Sequence, residues 1–183
     1  NATLGAINVT YYNIDTIDNV YIGSNTFELT NSVVPNINIL SYAGITTPLI
    51  IENNTFSSGT VNSTAILLSG ITGGAVKNNS ITNFETGLNL LSSSIDVAEN
   101  TISSNVENGI GILAVSGSEI KMNPSIGLNF GGMNNISCTG NYGINIKLDN
   151  GYFNMDYGEN IFNVTDVNNY WHLNGWFPYF VAA

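Results

Sequence analysis

Hydrophobic and polar residues alternate along this chain in short bursts, and the bursts recur in one form. An apolar-x-apolar couplet is followed by an asparagine and then, usually, by a large apolar residue two positions on. Seven copies succeed one another: Val20-Ile22-Asn25-Phe27, Leu49-Ile51-Asn54-Phe56, Gly74-Val76-Asn79-Ile81, Ile95-Val97-Asn100-Ile102, Ser118-Ile120-Asn123, Ile136-Cys138-Asn141 and Met155-Tyr157-Asn160-Phe162. A period of two marks a strand with one buried face. A second alternating segment follows most copies, often opening on glycine, as in Ile37-Ile39, Ile66-Leu68, Gly87-Leu88-Leu90, Gly109-Ile110-Ile112, Gly127-Leu128-Phe130 and Gly143-Ile144-Ile146. Each repeat therefore predicts at least two strands. The stretches between are rich in Ser, Asn, Gly and Thr, which favour turns over helices.

The repeated asparagines stand 18 to 29 residues apart, a period that belongs to solenoids. A sandwich or barrel also uses short strands and polar turns, but its hairpins do not copy whole units. Copied units stack, so equivalent residues lie above one another and neighbouring strands run parallel. In that geometry the asparagine is expected at the turn, where it tolerates left-handed backbone and offers an amide donor and acceptor. Asn25, Asn54, Asn79, Asn100, Asn123, Asn141 and Asn160 are thus expected to form a hydrogen-bonded ladder along the axis. Phe27, Phe56, Ile81, Ile102 and Phe162 are expected to stack inside, just past it.

On these Asn-x-Phe/Ile and Gly-Ile-x-Leu steps, over residues 20–162, the chain resembles the right-handed parallel β-helix repeat proteins, the group of pectate-lyase-like enzymes and many secreted surface proteins. The resemblance implies an all-β, single-stranded, right-handed parallel β-helix of about seven or eight coils. It leaves activity open, because the fold carries enzymes, adhesins and tailspikes alike. Residues 1–19 read as an imperfect first coil, 20–162 as the repeats, and 163–183 as an aromatic-rich cap or junction. Within that last part Tyr170, Trp171, Trp176, Phe177 and Tyr179 are candidate interaction residues, as a cap, a sugar platform or a strand donated to another subunit.

Composition narrows the partners. Of 183 residues, 43% are hydrophobic and only 9% charged; three lysines face thirteen acids, and arginine is absent, giving a net charge of −10. Such a surface cannot neutralise phosphates, which disfavours nucleic acid. No apolar run is long enough to span a bilayer, so no membrane insertion is expected. The single cysteine, Cys138, excludes an intrachain disulfide, and its place in the repeat predicts a buried slot level with Ile22, Ile51, Val97 and Ile120. The chain opens on Asn1 rather than Met and reads as a segment of a longer secreted protein.

Catalytic groups do not converge in the sequence. Lyases of the resembled family rely on a strong cation beside the sugar carboxylate, but Lys77, Lys121 and Lys147 fall in different coils, and Lys77 is expected to pair with Glu52 of the neighbouring coil. Glycosidases need two carboxyl groups facing one sugar. The repeat register predicts an outward strip of Asp96, Glu119 and Asp156, read as a solvated acidic strip on which Ca2+ is a candidate ligand; no other cofactor is expected. His172 has no second ligand at zinc spacing. Sequons begin at Asn1, Asn8, Asn53, Asn62, Asn78, Asn135 and Asn163, of which Asn53, Asn62, Asn78, Asn135 and Asn163 are the candidate glycosylation sites.

The expected function is a non-catalytic extracellular or cell-surface module, structural or adhesive, assembling into a fibre or layer. Its expected partners are other copies of itself or extracellular glycans. The alternative is a carbohydrate-binding or polysaccharide-degrading β-helix protein, with Tyr152, Trp171 and Trp176 as sugar-stacking aromatics. Ice binding wants regular Thr-x-Thr rows, which the sequence does not display.

Overall fold

The computed structural model describes residues 7–11, 19–29, 34–45, 49–58, 63–105, 108–115, 119–122, 134–138, 142–149, 152–155, 161–162 and 171–175. Alternating residues build strands throughout, and every recorded strand pairing is parallel. The strands lie on three faces that the chain visits in turn.

The first face holds β1 (Ile7–Tyr11), β4 (Ile37–Ile45), the first half of β7 (Thr64–Lys77), β9 (Thr86–Leu91), β12 (Asn108–Val115), β15 (Tyr142–Asp149) and β18 (Trp171–Gly175). The second holds β2 (Val20–Gly23), β5 (Leu49–Glu52), the second half of β7, β10 (Ser94–Ala98), β13 (Glu119–Met122) and β16 (Tyr152–Met155). The third holds β3 (Thr26–Leu29), β6 (Thr55–Ser58), β8 (Ser80–Thr82), β11 (Thr101–Asn105), β14 (Asn135–Cys138) and β17 (Ile161–Phe162). The chain is a parallel β-helix, and among the described residues seven strands stack on its first face.

Equivalent positions in successive coils lie in register. On the first face the register runs Ile7, Ile37, Ile66, Leu88, Ile110, Ile144 and Trp171. On the third it runs Phe27, Phe56, Ile81, Ile102, Ile136 and Phe162. Both columns are buried from Ile37 to Leu88 and from Phe27 to Ile136, and Ile7 is partly buried against them. The Phe27 and Phe56 rings stack with centroids 4.7 Å apart and planes 7° from parallel. Each such side chain stabilises the fold by about 1.5–3 kcal/mol relative to exposure.

The corner inside β7 depends on glycine. Gly70 and Gly74 have φ of 68° and 99°, values open to glycine and costly to other residues. A Cβ on either would strike backbone of the preceding coil, the carbonyl of Ser41 or that of Leu49.

The asparagine corner differs from expectation in one respect. The left-handed residues are Ser24 (φ 58°), Asn53 (56°), Asn78 (54°) and Glu99 (58°), each directly before a repeated asparagine rather than that asparagine itself. The left-handed step turns the chain, which leaves the next residue pointing inward to bond across coils.

Two sequence segments expected to be separate coils are parts of one. β13 pairs with β10 and β16, whereas β14 pairs with β11 and β17. Residues 119–122 and 135–138 are therefore the second-face and third-face strands of a single coil. Ile136 lies opposite Ile102, in the column that follows the asparagine, and Cys138 lies opposite Asn105 rather than level with Ile22 and Ile51. Alternation alone marks a strand but not which face of the coil it occupies. The repeat also extends past residue 162, because β18 continues the first face in register with β15.

Candidate functional site

Inside the corner, Asn25, Asn54, Asn79, Asn100 and Asn134 form a column. Nδ2 of Asn54 donates to the Glu52 carbonyl two residues back (3.0 Å), to the Ile22 carbonyl of the preceding coil (2.9 Å) and to Oδ1 of Asn79 in the next (3.0 Å). Asn79 repeats the pattern with Lys77, Ile51 and Asn100, and Asn100 donates to Oδ1 of Asn134 at 2.9 Å. Asn54, Asn79, Asn100 and Asn134 are buried. Their amides are consumed by the scaffold and offer nothing to a ligand. Asn134 is a fifth member not among the expected ladder residues, and its signal in the sequence is the same Asn-x-Ile step, Asn134-Asn135-Ile136. Asn123, Asn141 and Asn160 lie outside the described residues.

On the outer side of the second face, three coils contribute to one cluster. Register sets Glu52 opposite Lys77, and Nζ of Lys77 lies 3.0 Å from Oε2 of Glu52, as the sequence led us to expect. Tyr21, from the coil before, donates its hydroxyl to Oε1 of Glu52 at 3.0 Å. The Lys77 hydrogen bond, aided by that of Tyr21, holds the Glu52 carboxyl below its usual range. The hydrogen bond to Glu52 raises the Tyr21 phenol and the Lys77 ammonium. One strand beyond Lys77, Asp96 is half-buried, with Oδ1 shielded and unbonded. Burial pushes its carboxyl upward against the pull of Lys77.

The predicted acidic strip does not assemble. Asp96 opposes Ala75 and its neighbour Ile95 opposes Met122, which places Glu119 three residues away from that level; Glu119 opposes Tyr152 instead. Asp156 lies outside the described residues. The expected strip assumed that Ile120 sits level with Val97, and the pairing of β13 shifts that register. Lys121 opposes Asn154 and Lys147 opposes Leu113 and Asn174, so the lysines remain apart. Among the described residues no group of three His, Cys, Asp or Glu gathers, and no helix is long and apolar enough to cross a membrane.

Among the candidate aromatics, Trp171 occupies the register of the inward first-face column and His172 opposes Asn145. Tyr170, Trp176, Phe177 and Tyr179 lie outside the described residues. Of the sequon asparagines, Asn53, Asn78 and Asn135 are exposed, while Asn62 and Asn163 lie outside the described residues. The outer side of the third face shows a pattern that the sequence did not make visible. Its columns read Thr26, Thr55, Ser80, Thr101, Asn135 and Glu28, Ser57, Thr82, Ser103, so seven of these nine described positions carry a hydroxyl. The Thr82 and Ser103 hydroxyls bond to each other at 3.1 Å.

Comparison with family models, with curated proteins and with solved structures gives no match for this chain. The class defined by the coordinates is that of the parallel β-helix, held by an asparagine ladder.

Proposed function

We propose that this chain is a non-catalytic extracellular module, a rigid structural or adhesive rod of a secreted or cell-surface protein that joins other copies of itself. The observation that carries this reading is the unbroken asparagine column from Asn25 to Asn134, in which each coil donates backbone and side-chain hydrogen bonds to the next. Such coupling makes a solenoid stiff along its axis. The outer positions of the third face are small, mostly neutral and regularly spaced, which suits display or lateral packing. Edge strands at the ends of a stack are natural joints between copies.

Light scattering and small-angle scattering over a concentration series, with the whole chain and with residues 170–183 removed, test this reading. Concentration-dependent elongation that weakens on removal of the aromatic stretch is the expected result. A compact monomer at every concentration, or release of reducing ends from a polysaccharide by the purified chain, would sink it.

A further inference from the structure

The asparagine column has a direction. The backbone N–H and Nδ2 of Asn25 both donate to Oδ1 of Asn54, and Asn54 donates in the same way to Asn79, Asn79 to Asn100, and Asn100 to Asn134. Every Oδ1 from Asn54 to Asn134 thus takes two donors from the coil before it. Among the described residues nothing donates to Oδ1 of Asn25. Its Nδ2 reaches the Gly23 carbonyl and Asn54, but it lacks the carbonyl of a preceding coil that Asn54, Asn79, Asn100 and Asn134 each hold. Asn25 is exposed, whereas the other four are buried. The column opens on an unmatched acceptor.

The strands at the two ends match in the same sense. Among the described residues β1, β2 and β3 each pair on one side only, as the first strands of their faces, and β18, β16 and β17 do so as the last. The inward column of the third face begins at Phe27 and reaches Phe162, and the outward column beside it begins at Thr26 and reaches Ile161. Phe27 already stacks on Phe56, and the far end of its column is again an aromatic position. In the sequence, Asn160 stands directly before β17 in the same Asn-x-Phe step.

Direction decides how two copies can meet. Head to head, Oδ1 of Asn25 meets another Oδ1, two acceptors with no proton between them. Head to tail, the strands stay parallel and donors approach the open acceptor. We propose that copies of this chain stack head to tail, with β18, β16 and β17 of one copy pairing in register with β1, β2 and β3 of the next, and with Asn25 as the acceptor rung of the joint. A heterologous contact that continues the stack repeats without closing and gives a filament. The inference rests on the rod reading and adds to it the direction and register of the joint.

Two single-cysteine variants in a Cys138→Ser background, Thr26→Cys and Ile161→Cys, test it under mild oxidation. Within one copy these positions are five strand steps apart, about 24 Å at about 4.8 Å per step, which is beyond disulfide reach. Across a head-to-tail joint they are neighbours. The mixture should give a disulfide-linked heterodimer by mass spectrometry, and neither variant alone a homodimer. In light scattering, Asn25→Ala, shown folded by circular dichroism, should raise the concentration needed for assembly by about tenfold or more. Homodimers of Thr26→Cys alone, assembly of the parent without the mixed disulfide, or unchanged assembly of a folded Asn25→Ala would each overturn the head-to-tail joint while leaving the rod reading intact. A parent chain that stays monomeric at every concentration overturns both.

Discussion

Asn54 and Asn79 are joined twice: the backbone N–H and the side-chain Nδ2 of Asn54 both donate to Oδ1 of Asn79, each at 3.0 Å. One carbonyl oxygen thus satisfies two donors from the coil before, while the same amide's nitrogen serves carbonyls in its own coil and the preceding one. No apolar residue of similar volume can replace it. Asn79→Leu strands the backbone N–H of Asn54, takes one of three acceptors from its Nδ2 and leaves the Ile51 and Lys77 carbonyls without their Asn79 donor. At about 1–3 kcal/mol for each buried group left unpaired, a loss of about 3 kcal/mol or more is expected in chemical denaturation. A loss under about 1 kcal/mol would be typical of a solvated surface position, and the ladder would then not bear on stability.

Asn79→Asp separates geometry from donation. The acid keeps Oδ1 but faces the Ile51 and Lys77 carbonyls without a proton to give. Its ionised form is disfavoured in the fold, so its folded pKa lies above the unfolded value. The variant should be least destabilised below about pH 3.9, the usual aspartate value, and lose stability as pH rises through the folded pKa. Melting temperatures at pH 3 and pH 7, each taken relative to the parent, check the sign.

Asp96 and Glu52 titrate in opposite senses. Burial raises Asp96 above its ordinary 3.8, so its contribution is fully present below that value and is lost as pH rises through the folded pKa. Glu52 is held below its ordinary 4.5 by Lys77 and Tyr21, so its contribution is present above 4.5 and is lost as pH falls through the folded pKa. Asp96→Asn should accordingly raise the melting temperature at pH 7, with the gain vanishing by pH 3. A gain of equal size at both pH values would contradict the role of ionisation.

The left-handed corner offers a stabilising change. Glu99 adopts φ of 58° where the two preceding coils place Asn78 and Asn53. Asparagine tolerates this conformation better than glutamate, so Glu99→Asn should stabilise by about 0.5 kcal/mol. By contrast Gly74→Ala, which needs φ of 99° and meets the Leu49 backbone, should cost about 2 kcal/mol or more. Paired urea melts decide both signs.

The architecture was readable because Ile51, Val76, Phe56 and Ile81 recur at fixed offsets from Asn54 and Asn79, and offsets survive from sequence into stacked coils. The fifth coil is not legible in the sequence, because residues 123–133 separate its second and third strands and Ile120 and Ile136 each resemble the start of a repeat. The register of Trp171 with Ile144 is not legible in the sequence, because a bulky aromatic does not resemble the Ile and Leu of that column. The tether of Tyr21 is equally hidden in the sequence, because its partner Glu52 is distant along the chain and adjacent only after folding. The hydroxyl rows of the third face were hidden for the same reason, since each coil contributes only two positions.

The stacking register is tested most directly by cross-linking Thr101 to Asn135, which lie opposite each other on β11 and β14. Neighbouring strands roughly 4.8 Å apart fall within disulfide reach. In a Cys138→Ser background, Thr101→Cys with Asn135→Cys should form an intrachain disulfide under mild oxidation and raise the melting temperature. Failure of that pair to close in a folded monomer would contradict the register, and with it the single column from Asn25 to Asn134.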